Sequence, residues 1–151
     1  MENIFKIYDY NLILGRNSMN RSLGTNIING SLVLDTKTPV MTFEGGKLYR
    51  AGSLNIVELH GSYRDMGRQY GVLLKNELNE FYGNMSANFG IDPRFTHNAI
   101  LQTARSDFRF YPQRYKEIIY GMAETSDMGL DKQLIANNII KEIAIYINES
   151  F

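Results

Sequence analysis

Between residues 54 and 82 the hydrophobic pattern changes period once. Leu54 to Leu59 is a short apolar run with β-branched Ile56 and Val57, interrupted by Asn55 and Glu58, and it predicts a strand covered on both faces. Gly61 ends that strand. Ser62 stands three residues before Asp65, a relaxed capping box in which the hydroxyl takes an orphan backbone N–H and the carboxylate faces the positive end of a new helix. A helix is therefore expected from about Tyr63. Along it Met66, Tyr70, Leu73, Leu74, Leu78, Phe81 and Tyr82 recur at three- and four-residue spacing, while Arg68, Gln69, Lys75, Asn76 and Asn79 take the other side. Gly67 and Gly71 border the apolar stripe, and each costs about 1 kcal/mol against Ala in a helix interior. Together with Gly61 they read as structural residues that allow close backbone approach, here expected toward a sheet. On this reading Gly71→Leu is far more harmful than Gln69→Leu.

Three further helices are expected from the same periodicity. Gly83 and Asn84 allow a bend. Asp92-Pro93 offers an N-cap and a first-turn proline for a helix over 93–110, which buries Ile100, Leu101, Ala104 and Phe108 and is ended by Pro112. A helix over 113–127 buries Tyr115, Ile118, Ile119, Met122 and Ala123. Gly129 is a left-handed stop, Leu130 a staple, and Asp131 the cap of a last helix with Leu134, Ile135, Ile139 and Ile143 inward. Upstream, Asn29-Gly30 between apolar runs predicts a hairpin, Gly52-Ser53 a second tight turn, and the polar stretch 15–26 a loop. The chain reads as α+β, helix-rich with few strands, divided into a β-rich N-terminal extension over 1–47 and a main unit over 48–151.

Composition narrows the function classes. The 151 residues are 44% hydrophobic and 21% charged, a globular chain of about one domain. Sixteen basic residues against sixteen acidic ones, without a dense Lys/Arg cluster, leave no electrostatic footprint for nucleic acid. No apolar run reaches the ~18 residues of a membrane span, and the start MENIFKIYDYNLILG has no signal-peptide core. The expectation is a cytoplasmic protein without a membrane partner.

Cysteine is absent, which removes disulfides and thiolate metal sites. His60 and His97 are the two histidines and lack carboxylates at ligand spacing, so neither a metal nor a cofactor is expected. His60 reads as half-buried and hydrogen-bonded, His97 as solvated. Serines 62, 86, 106 and 126 lack a nucleophile-elbow context. Asn138 and Glu142 lie four apart on one face of an otherwise apolar segment, where a buried amide and carboxylate need partners. They are either a solvated pair beside Lys141 or groups that brace a site. Tyr63 and Arg64, just past the cap, are either surface residues or rim groups.

Two stretches carry a resemblance to a known family. LHGSYRDMGRQYGVLL, residues 59–74, resembles the opening strand and helix of the acyl-coenzyme A:6-aminopenicillanic acid acyltransferase family, autoproteolytic N-terminal-nucleophile (Ntn) hydrolases with a cysteine nucleophile. YPQRYKEIIYGMAETSDMGLDKQLIANNIIKEI, residues 111–143, is similar to the family's aromatic-Pro break, its helix, its Gly-Leu connection and its further helix with an Asn and a Glu. The resemblance covers roughly residues 48–151. It implies that the chain is the smaller part of an αββα sandwich and is completed by a second chain from the same precursor that begins with the nucleophilic cysteine. The substrate class would be a small-molecule amide or thioester, and the reaction acyl transfer or amide hydrolysis. This chain would hold no catalytic residue of its own. Asn138 and Glu142 match the family's Asn and Glu by position, Tyr63 and Arg64 would line or brace the pocket, and Phe151 would be the acyl side of the self-cleaved bond. The alternative is a non-enzymatic, helix-rich interaction subunit whose apolar helices cover a partner's sheet.

Overall fold

The computed structural model describes residues 5–8, 27–28, 31–32, 38–51, 54–87, 89–90 and 96–138. The fold is α+β, as expected, with more sheet than periodicity shows. Strand β6 (Leu54–Leu59) lies inside a four-stranded antiparallel sheet of order β1-β6-β5-β4, where β1 is Phe5–Tyr8, β4 is Met41–Phe43 and β5 is Gly46–Ala51. Ile56 and Val57 are both buried, so β6 is covered on both faces at its centre, because adjacent residues of a strand point to opposite sides. The sheet draws strands from both sides of residue 47. Strand β4, at three residues, is too short for alternation to mark, and β5 lies just before the tight turn expected at Gly52-Ser53.

The turn between β4 and β5 explains why these strands meet. Phe43 pairs with Gly46, leaving Glu44 and Gly45 as a two-residue loop with φ of 47° and 86°. Two left-handed residues in succession give the turn whose twist matches the flanking strands. Farther upstream, β2 (Ile27–Ile28) pairs with β3 (Ser31–Leu32), Ile28 opposite Ser31, so the expected hairpin strands are present. Asn29-Gly30, Gly52-Ser53 and the stretch 15–26 lie outside the described residues.

Helix α1 (Tyr63–Leu73) starts on the expected capping box. Asp65 N donates to Ser62 Oγ at 3.2 Å and Ser62 N donates to Asp65 Oδ2 at 3.0 Å. The single long helix expected here is two, because Leu74 leaves the helical path (φ −118°, ψ 27°) before α2 (Lys75–Ser86) resumes. The apolar stripe survives the break, and Gly83 does not end α2 but lies within it. Helix α3 (His97–Phe108) is capped by Thr96, whose Oγ1 accepts from Ala99 N at 3.3 Å; Asp92-Pro93 lies outside the described residues. Helix α4 (Gln113–Thr125) starts after Pro112. Asp127 (φ 62°) and Gly129 (φ 72°) then turn the chain into α5, described over 129–138. Asp131 lies within α5 and not at its cap, and its carboxylate accepts from Arg105 at 2.9 Å.

The glycine pair meets another helix, not the sheet. A Cβ on Gly67 would lie 2.9 Å from the Ile118 carbonyl carbon, and one on Gly71 would lie 2.9 Å from the Met122 carbonyl oxygen. The reciprocal residue is Gly121 of α4, where a Cβ would come within 2.7 Å of Arg68 N. Helices α1 and α4 thus touch backbone to backbone, and Thr125 Oγ1 seals the contact by donating to Arg68 O at 2.8 Å. Under this pair the core joins Leu48, Val57 and Leu59 of the sheet to Met66, Tyr70 and Leu73 of α1 and to Met122 of α4. Tyr115, expected inside, is 47% exposed, because the face that α4 gives to α1 is centred on Gly121.

Candidate functional site

The α1–α4 crossing carries its charges at the surface as one ladder. Arg68 forks onto Glu44, Nε to Oε2 at 3.0 Å and Nη2 to Oε1 at 2.7 Å, and its Nη1 donates to Glu124 Oε2 at 3.2 Å. Arg64 binds the other Glu124 oxygen through Nη2, donates through Nη1 to Glu117 Oε2 at 3.2 Å, and lies over the Tyr120 ring at 5.1 Å. The order Glu44, Arg68, Glu124, Arg64, Glu117 alternates in sign, so each carboxylate has a cation beside it. Hydrogen bonds from Arg68 hold Glu44 below the usual carboxylate range, and those from Arg64 and Arg68 do the same for Glu124. The Ser62 hydroxyl and backbone N–H hold Asp65 low. Both guanidinium groups are pushed further up.

At one end of the ladder a cleft of about 430 Å³ opens between Glu44, His60, Gly61, Asp65, Arg68 and Gln69. Gln69, assigned by periodicity to the polar side, is 1% exposed and is the residue that ties this end together. Its Oε1 accepts from His60 N at 2.9 Å, while Nε2 donates to Glu44 O at 2.8 Å and to His60 O at 2.9 Å. One amide thus joins the β4–β5 turn, the end of β6 and α1. Gly46 is small because Gln69 lies on it: a Cβ there would be 2.8 Å from Gln69 Cβ. Gly61, with φ of 97°, takes the chain from strand to helix in a conformation that favours glycine. His60 is half-buried as expected and pairs through Nε2 with Glu58 Oε1 at 2.9 Å, a carboxylate that Lys47 also approaches at 3.7 Å. The Ser62 hydroxyl is committed to Asp65, at 2.6 Å from Oδ2. In the cleft Glu44 is paired with Arg68, whereas Asp65 is held by the Ser62 hydroxyl and N–H without a cation in hydrogen-bond contact among the described residues.

The other named residues fall in different places. Tyr63 is half-buried against the main core, and Arg64 is committed to the ladder. Asn138 is 4% exposed, and its Nδ2 donates to Asp107 Oδ2 at 3.1 Å, tying α5 to α3. Asn138 and Arg64 share no partner. Glu142 and Phe151 lie outside the described residues. Five positions before Asn138, Gln133 is fully buried with no hydrogen-bond partner for Oε1 among the described residues. The ladder was missed by periodicity although a signal existed: Arg64 and Arg68 are one turn apart on α1, and Glu117 and Glu124 two turns apart on α4.

Beside the crossing an apolar groove of about 410 Å³ is lined by Tyr111, Pro112, Tyr115, Ile118, Ile119 and Met122, together with Asn137 of α5. It adjoins the α3–α4 corner, where Phe110 is 85% exposed. Among the described residues no three His, Cys, Asp or Glu side chains gather closely enough to hold a metal ion, and no helix is long and apolar enough to cross a membrane. Comparisons with protein-family models, with curated proteins and with solved structures return no match to the chain.

Proposed function

We propose that the chain is the smaller subunit of a two-chain, self-cleaving cysteine Ntn hydrolase or acyltransferase similar to the acyl-coenzyme A:6-aminopenicillanic acid acyltransferase family, with the αββα sandwich completed by the partner chain. One observation supports this most. The two stretches that carry the resemblance, residues 59–74 and 111–143, contain the helices that close on each other across Gly67, Gly71 and Gly121. The resemblance and the backbone contact thus fall on the same pair of segments.

In this reading the partner's N-terminal cysteine thiolate attacks an amide or thioester carbonyl, and its own α-amine takes the thiol proton. Oriented N–H donors hold the tetrahedral oxyanion. Its collapse breaks the C–N or C–S bond and expels the amine or thiol, which takes the proton held by the α-ammonium, and the acyl-enzyme then passes to water or to an acceptor amine. The described residues act at a distance: the α1–α4 crossing sets the layer on which the site rests, Arg64 braces that crossing, and Asn138 fastens α5.

Expression from the native reading frame, carried through the codons downstream of Phe151, tests the proposal by intact mass. Two chains are expected, the second beginning with cysteine, and exchange of that cysteine for Ala is expected to leave one uncleaved polypeptide. A stop codon after Phe151 with no co-purifying chain would overturn it. The second reading, a non-enzymatic interaction subunit, is favoured by the ladder, in which both guanidinium groups and all three carboxylates are committed to one another. It predicts a partner chain with no N-terminal nucleophile.

A further inference from the structure

The surface charges are not all paired alike. Along the ladder each Arg meets carboxylates, whereas at the α3–α4 corner Arg109, Arg114 and Lys116 have no carboxylate partner among the described residues. Arg109 donates to Ser106 Oγ at 3.2 Å, Lys116 to the Arg109 carbonyl at 2.9 Å, and the Arg114 guanidinium lies 4.9 Å from the centre of the Tyr115 ring. Arg114 and Lys116 are the immediate neighbours of Tyr115, which lines the apolar groove, and Lys116 Nζ also lies 5.8 Å from the centre of the Phe108 ring. At the groove edge Asn137 commits its Nδ2 to Gln133 O at 2.8 Å, which leaves its Oδ1 as an acceptor for an incoming N–H. The corner thus combines a concave apolar floor, a hydrogen-bond acceptor, exposed aromatic side chains and cations that meet no anion among the described residues.

We propose that this groove docks an acidic amphipathic segment of a partner protein, with apolar side chains on the Tyr115–Ile118 floor and carboxylates on Arg114, Lys116 and Arg109. Charge complementarity selects the occupant: a neutral apolar segment would bury the flanking cations without an anion, and a basic one would be repelled. The proposal does not depend on self-cleavage or on a catalytic partner.

The test uses the full chain, with its partner chain if one co-purifies, and a fluorescein-labelled short helical peptide bearing Leu and Phe on one face and Glu elsewhere. Fluorescence anisotropy is expected to show saturable binding that weakens at high salt, and a peptide with Lys in place of Glu should bind about tenfold more weakly or worse. The R114E/K116E variant should exchange this preference, losing the Glu peptide and gaining the Lys peptide. A gain of binding also shows that the variant is folded. Equal binding of both peptides, absence of binding to either, or an unchanged preference in R114E/K116E would overturn the proposal. So would sedimentation of the chain with phosphatidylserine-containing vesicles when the Glu peptide is not bound, an outcome that assigns the cations to a membrane surface.

Discussion

The two sides of α4 solve the problem of a helix surface in opposite ways. Toward α1 the helix presents Gly121, and the backbones meet with little side chain between them; each charge at the edge of that contact has an opposite charge beside it. Toward the corner it presents Tyr115, beside exposed Phe110 and cations that meet no carboxylate among the described residues. The first side is closed and self-sufficient, so a change there acts on folding. The second is open and unbalanced, so a change there acts on what the chain can bind. Paired ions at a surface contribute little each, and their worth in the ladder lies in setting how α1 sits on α4 and on the β4–β5 turn.

The most damaging way to break this contrast is to fill the crossing. Gly121→Leu or Gly71→Leu forces a branched side chain into backbone, and the expected loss is about 3 kcal/mol or more, seen as a large drop in the urea midpoint or as failure to accumulate soluble protein. Phe110→Ser, the matching change at the corner, is expected to move stability by less than about 0.5 kcal/mol. Similar losses from the two would refute the distinction between a closed and an open face.

Gln69→Leu is next. Close in size, it removes donors and acceptor together and leaves Glu44 O, His60 O and His60 N without their partner. The expected cost is about 1–3 kcal/mol by denaturant titration, the penalty for leaving partly buried polar groups unpaired. This narrows the gap drawn from periodicity, in which Gly71→Leu was far more harmful than Gln69→Leu. A Gln69→Leu protein as stable as the parent would show that the amide is not what joins turn, strand and helix.

The smallest effect concerns pH. The ladder carboxylates Glu44 and Glu124 are held below their ordinary value of 4.5, and Asp65 below 3.8. Because their folded-state values are depressed, the stability they supply is fully present above those ordinary values and is lost as pH falls through the lowered ones. Stability is therefore expected to be flat near neutrality and to decline below about pH 4, with the decline shallower in Glu124→Gln. An acid limb of the same steepness in Glu124→Gln would show that the ladder does not drive it.

What the sequence determined by itself is local. The Ser62–Asp65 box, the stripe from Met66 to Leu78, strand β6 and the strands flanking Asn29-Gly30 are legible from spacing, because capping, helical period and turn chemistry are set by residues within a few positions of one another. The presence of Gly67 and Gly71 likewise announced a close approach. What they approach was decided only by tertiary structure: a glycine signals missing volume and not the identity of the neighbour that fills it. The same holds for Gln69, whose polar character says that it needs hydrogen bonds but not that Glu44 and His60 bring theirs to it. It holds also for Tyr115, whose apolar ring suggested burial until the crossing at Gly121 turned it outward. Burial, partner and exposure are properties of surfaces that meet from far apart in the chain, and no period within one helix contains them.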